Sequence, residues 1–173
     1  MKKEIVKDLN KFLDVHSEYL YKSYALSIRA HELGFNGFYK FFQIEAADAI
    51  VHTRRIMNYM QTSNVSYTLQ NVKMNYNYEA KTIQELVEAL IKIKTNFLNL
   101  TNILSSNAHA LQDHLTVRFY EWFLKDFYEE IDYENDILDW IKMSNGNLFG
   151  VDKKVGEAAE PNTPVVIDPF GDN

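Results

Sequence analysis

Residues 115–143 read LTVRFYEWFLKDFYEEIDYENDILDWIKM, and their spacing is that of a long amphipathic helix. Phe119, Trp122, Phe123, Asp126, Phe127, Glu130, Tyr133, Ile137, Trp140 and Ile141 recur at steps of three and four, which puts them on one face. At ~1.5 Å per residue such a helix is ~40 Å long. A rod of that length with one apolar side must lay that side against other rods. The stretch therefore predicts an elongated helix bundle.

Upstream the same period recurs. Ile5, Leu9, Phe12, Leu13, His16 and Leu20 share one side, while Lys7, Lys11, Asp14, Glu18 and Lys22 share the other. This first helix stops near Gly34. A second opens near Gly37 and carries Phe38, Phe41, Phe42, Glu45, Asp48, Ala49, His52 and Ile56 along one face. So short a connection makes the two helices antiparallel neighbours. Periodicity then vanishes from about Thr62 to Lys81, a length suited to an end-to-end crossover. Thr82 and Glu85 have capping-box spacing and start a third helix, with Leu86, Leu90, Ile91, Lys94, Phe97, Leu98 and Thr101 inward. His109 and His114 fall in the loop that follows and are given no role.

All three prolines and four of the six glycines lie after Asn145. The expected architecture is all-α, a four-helix bundle with one long crossover and a short fifth helix near Leu148 to Val155. Residues 1–156 form the helical domain and residues 157–173 a Pro-containing C-terminal tail. Val165, Val166, Ile167 and Phe170 are apolar enough for that tail to dock, although Pro161, Pro164 and Pro169 forbid a regular helix there.

Composition narrows the chemistry. The 173 residues are 46% hydrophobic and 24% charged, so the chain can bury a core. A net charge of −6 disfavours nucleic acid, whose affinity rests on neutralising phosphates. The absence of cysteine removes disulfides, iron–sulfur clusters and thiol nucleophiles. No apolar run has the length of a signal peptide core or a membrane span, so the cytoplasm is the expected compartment and no membrane partner is expected.

Polar residues interrupt the stripes at mid-helix: His16 in the first helix, Asp48 and His52 in the second, Lys94 in the third, Asp126 and Glu130 in the fourth. In an antiparallel bundle these positions meet at one level. Buried charges of this kind need partners of opposite sign or a metal. Imidazole with carboxylate suits iron, manganese or zinc. Each signal has a plainer reading, since a lone histidine on an apolar face is more often a hydrogen-bonded core residue. The run from Asp126 to Glu130 would ordinarily be a solvated face, but the i, i+3, i+4 spacing of Asp126, Glu129 and Glu130 sets all three beside Phe123 and Phe127.

From about Leu9 to Lys153 the chain resembles ferritin, in particular the bacterial non-haem ferritins. The residues that carry this are Leu9-Asn10, Gly34-Phe35-Asn36-Gly37, His52 closing Asp48-Ala49-Ile50-Val51-His52, Thr82-Ile83-Gln84-Glu85-Leu86, Trp122 and Leu148-Phe149-Gly150-Val151-Asp152-Lys153. The resemblance implies a ferritin-like bundle, a hollow homo-oligomeric cage of 24 subunits and iron as cargo. Ferritins that oxidise Fe(II) carry glutamates on helices one and three, Glu-Glu-x-x-His on helix two and a glutamate-rich cluster on helix four. Here the helix-one position reads His16, the bridging glutamate reads Ala49 and the helix-three glutamate reads Lys94; His52 and Glu130 match. An alignment on Tyr19-Leu20-Tyr21 would instead place Asp14 at the helix-one position, on the Lys7/Lys11 face. The accessory iron site of the family is acidic where Asp48, Asp126, Glu129 and Glu130 stand.

The metal candidates are therefore His16, Asp48, His52, Asp126, Glu129 and Glu130, and the expected function is iron storage with weak or absent ferroxidase activity. Two alternatives stay open: a DNA-protecting ferritin relative, and a ferritin-fold interaction protein without iron chemistry. The fifth-helix segment and the acidic charge speak against the DNA-protecting type.

Overall fold

The computed structural model describes residues 1–68, 70 and 72–171. Among these residues five helices follow one another: α1 (Lys3–Glu32), α2 (Asn36–Thr62), α3 (Ile83–Ala110), α4 (His114–Met143) and α5 (Phe149–Val155). No helix among the described residues is long and apolar enough to cross a membrane.

The α1–α2 turn needs a left-handed residue, and Gly34 supplies it at φ +86° without the backbone strain that a side chain would bring in that conformation. Thr82 caps α3 as its spacing predicts: its hydroxyl accepts from the Glu85 N–H, and the Glu85 carboxylate accepts from the Lys81 N–H at 2.7 Å. Asp113 caps α4 by accepting from the Thr116 N–H at 3.1 Å. His109 and His114 are not loop residues. Gln112 takes φ +57° and lets the chain reverse at once, so the two histidines occupy the last turn of α3 and the first of α4, both exposed.

The crossover runs the length of α1. The Thr68 N–H donates to Asn10, the Tyr76 hydroxyl donates to Glu18 at 2.5 Å, and Arg29 Nε donates to the Ala80 carbonyl at 2.8 Å. This path returns the chain to the end where α2 began, so α3 runs antiparallel to α1 and packs beside it, and α4 then runs back antiparallel to α3. α1 packs mainly on α2 and α3 mainly on α4. At mid-bundle the core is aromatic: Phe12, Phe97, Phe119, Phe123 and Phe127 are at most 4% exposed.

Two expected stripes shift by one residue. On α1 the buried position is Tyr19 rather than Leu20, and on α4 it is Glu134 rather than Tyr133, which stays exposed. The inward row of α4 continues Phe123, Phe127, Glu134, Ile137, Ile141, the drift expected of a straight 3.6-residue helix.

α5 docks on the start of α2. A Cβ at Gly37 would meet the Asp152 carbonyl oxygen at 1.8 Å, so only glycine permits that approach. Asp152 then accepts from the Phe38 N–H at 3.0 Å and satisfies one of the unpaired donors at the α2 N-terminus. Beyond α5 the chain turns back along α2. Arg54 donates to the carbonyls of Thr163 and Pro164, Arg55 to those of Asp168 and Gly171, and Asn58 to that of Ile167, all at 2.8–2.9 Å. Ile167 is 2% exposed and Phe170 meets Tyr59 edge to face.

Candidate metal centre

The mid-helix polar residues converge, as their level in the bundle requires, into two adjoining groups. The first is built around His52, which α2 holds fully out of solvent. Its Nε2 lies 2.9 Å from Asp126 Oδ2 on α4 and 3.2 Å from Asp48 Oδ2, one turn earlier on α2. With Glu130 these residues present four donor atoms within 4.8 Å of one another. Asp48 Oδ2, His52 Nε2, Asp126 Oδ2 and Glu130 Oε2 are buried, and none makes a well-aligned hydrogen bond among the described residues. One imidazole and three carboxylate oxygens aimed at a common point are a donor set for a divalent first-row metal.

Without a metal, protons must supply the missing charge. Burial raises the Asp48 carboxyl above its ordinary value, with nearby Asp126 adding to the rise and His52 opposing it. Burial pulls His52 down, but Asp48 and Asp126 together outweigh it, so the imidazole is held above its usual value.

The second group surrounds Lys94, 1% exposed on α3. Its Nζ lies 2.6 Å from Glu45 Oε2 on α2, 2.6 Å from Glu134 Oε1 and 3.2 Å from Glu130 Oε1 on α4. The Tyr19 hydroxyl donates to Glu45 Oε2. Burial disfavours the ammonium, yet Glu130, Glu134 and Glu45 together hold its pKa well above the ordinary lysine value. Glu134 is itself raised to about 7, by burial first and Lys94 in opposition. Glu130 joins the two groups, because Oε1 faces Lys94 while Oε2 has no hydrogen-bond partner among the described residues. Sequence reasoning passes over Glu45, Glu134 and Tyr19 as members of this cluster. Helical spacing carries the signal for two of them, with Glu134 four residues after Glu130 and Glu45 three before Asp48.

His16 faces inward, whereas Asp14 is half-buried on another side, where the Gln70 backbone hydrogen-bonds its carboxylate. The His16 ring stacks on Phe97 (4.8 Å, 23°) and Phe127 (5.7 Å, 15°) and meets His52 edge to face at 5.3 Å. Neither ring nitrogen finds a hydrogen bond among the described residues, and burial followed by His52 lowers its pKa well below the usual value. It is therefore a neutral imidazole beside the four-donor group, not one of the four. Ala49 is fully buried and offers a methyl group where a bridging carboxylate is implied by the resemblance. Glu129 stands apart, 62% exposed and 3.8 Å from Lys125. It lies on the rim of a cavity of about 380 Å³ whose walls include Asp48, Trp122, Asp126, Pro161 and Asn162.

Residues 3–144 match the profile of the ferritin-like domain. The chain is 24% identical over 161 residues to a probable bacterial non-heme ferritin-like protein of Haemophilus influenzae, covering 90% of this chain and 96% of that one. It is 23% identical over 160 residues to a bacterial non-heme ferritin of Escherichia coli, covering 90% and 95%. Among solved structures, an open-pore ferritin of Archaeoglobus fulgidus superposes with a TM-score of 0.87 at 16% identity over 92% of this chain and 98% of that chain. The ferritin of M. penetrans superposes with a TM-score of 0.82 at 20% identity over 91% and 96%. With the profile spanning most of its length, the chain belongs to the ferritin family.

Proposed function

We propose that this chain is an iron-storage ferritin subunit of the cytoplasm. It assembles with copies of itself into a hollow shell of 24 subunits and takes up iron as cargo, with weak or absent ferroxidase activity. The observation that carries this reading is the position of Lys94. Its ammonium is held by Glu45, Glu130 and Glu134 within 3.2 Å and takes the place of a second cation beside the His52 group. A divalent ion there would meet a fixed positive charge in a medium that screens it poorly.

One iron ion per chain is then bound by Asp48, His52, Asp126 and Glu130. Their oxygens and imidazole fit Fe(II), and Glu130 can ligate through Oε2 while Oε1 stays with Lys94. His16, its pKa lowered by burial, packs against His52 on the core side and adds no charge to the site. Glu129 collects hydrated cations at the rim. Two-electron oxidation needs two iron ions bridged by a carboxylate, and Ala49 supplies none.

Particle mass by light scattering, together with iron content after aerobic loading, tests the reading. A 24-subunit particle that accumulates iron slowly is the expected result. A monomer, or a particle that retains no iron, would overturn it and leave a ferritin-fold interaction protein. A twelve-subunit particle that binds duplex DNA would favour the DNA-protecting alternative.

A further inference from the structure

The cavity outside the four-donor group is open to solvent on one side, where Glu129 stands, and the C-terminal tail forms part of its wall. Asp48 and Asp126 form its inner side, Trp122 and Glu129 its flanks, and Pro161 and Asn162 of the C-terminal tail complete the wall. The tail is held there by side chains from a short stretch of α2. Arg54, Arg55 and Asn58 are three successive grips on the tail's carbonyl groups, and Ile167 is the apolar anchor between them. One grip also reaches the centre. The guanidinium of Arg55, fully buried, lies 3.6 Å over the ring of Trp122, and that indole meets His52 edge to face at 5.6 Å.

We propose that residues 161–171 are a strap that gates exchange of divalent cations between this cavity and the metal centre. The inference rests on the reading of the His52 group as a cation site. With the strap seated, an ion leaving the four-donor group meets a cavity walled by Pro161 and Asn162, and Arg55 holds Trp122 against His52. With the strap lifted, the cavity widens to solvent along the tail side and the Arg55 guanidinium that lies over Trp122 is uncovered. Because no described tail residue belongs to the four-donor group, lifting the strap speeds entry and exit together and leaves the affinity nearly unchanged.

The test compares the intact chain with Ile167→Asp, which removes the apolar anchor, and with Asn58→Ala, which removes one grip without burying a charge. Co(II) is the probe, its loading and its release to excess chelator followed by absorption. Losing one buried aliphatic side chain makes local opening roughly ten- to hundredfold more frequent. Release and loading should both accelerate by about that factor in Ile167→Asp and by about threefold in Asn58→Ala. A second readout, acrylamide quenching of Trp122 in a Trp140→Phe background, should rise in both variants without any metal present. If Trp122 becomes accessible while Co(II) exchange is unchanged, the tail is not a gate. If Co(II) affinity falls while loading is not accelerated, the tail is a ligand and the gate is wrong. If the intact chain binds no Co(II) that His52→Ala abolishes, the cation site itself fails and the gate with it.

Discussion

Lys94 Nζ stands 2.6 Å from Glu134 Oε1, and both side chains are 1% exposed. An ion pair so far from water is not a stability device in itself, since desolvating both charges offsets most of their attraction. Its importance lies in what it displaces. Glu45 and Glu130 turn toward the same ammonium, so three carboxylates that could serve a cation are already served by one built into the chain.

Removing that ammonium should be costly. Lys94→Met leaves three buried carboxylates without their counter-ion, and breaking a buried pair in this way typically costs about 3–5 kcal/mol. Urea denaturation of the metal-free protein at pH 8 measures it. A loss under ~1 kcal/mol would mean that Lys94 is not what balances the cluster.

The cluster also sets a pH dependence. Glu134 is raised to about 7 and Asp48, Glu130 and His52 are raised as well; His16, lowered by burial, opposes them as a single group, so on balance the folded chain binds protons that the unfolded chain has released. Between the unfolded carboxylate value and about 7 the folded state holds the greater number, so stability falls as pH rises through this window. The metal-free protein should melt at a lower temperature at pH 8 than at pH 5.5, and Glu134→Gln should shrink the difference. Because a metal replaces the protons, Zn(II) should raise the melting temperature more at pH 8 than at pH 5.5. A melting temperature that rises with pH in the metal-free chain would contradict the assignment.

Metal affinity should follow the geometry rather than the acidity of the α4 run. His52→Ala removes the only nitrogen donor of the four and should weaken Co(II) binding by about a hundredfold or more, given that even supporting residues cost ten- to hundredfold. Glu129→Ala removes an exposed carboxylate paired with Lys125 and should change affinity less than about threefold. Titration calorimetry on the two variants decides between the four-donor group and a diffuse acidic patch.

Much of this was legible in the residue pattern, for physical reasons that particular positions display. A period of three and four reports which side of a helix avoids water, so the bundle, the long crossover and the inward turn of His16 could be read directly. Helix drift is harder to see, and it moved the inward position from Tyr133 to Glu134 and from Leu20 to Tyr19. Glu45 lay in plain view on the α2 stripe. Its role depends on Lys94 of a helix remote in sequence, and periodicity carries no information about which polar groups meet across a core. The tail shows the limit most clearly. Val165, Val166, Ile167 and Phe170 suggested docking, but only Ile167 of that aliphatic run is buried, and the grips of Arg54, Arg55 and Asn58 fall on backbone carbonyls that look alike in every sequence.

On the function proposed above, Lys94 and Ala49 together leave room for one iron ion where two must be bridged. Stopped-flow oxidation of Fe(II) by the natural chain, by Ala49→Glu, by Lys94→Glu and by the double variant tests it most directly. The natural chain should show no fast phase, and the double variant a rate exceeding the sum of the two single gains, because each substitution repairs a different defect. A fast phase already present in the natural chain at two iron ions per subunit would contradict it.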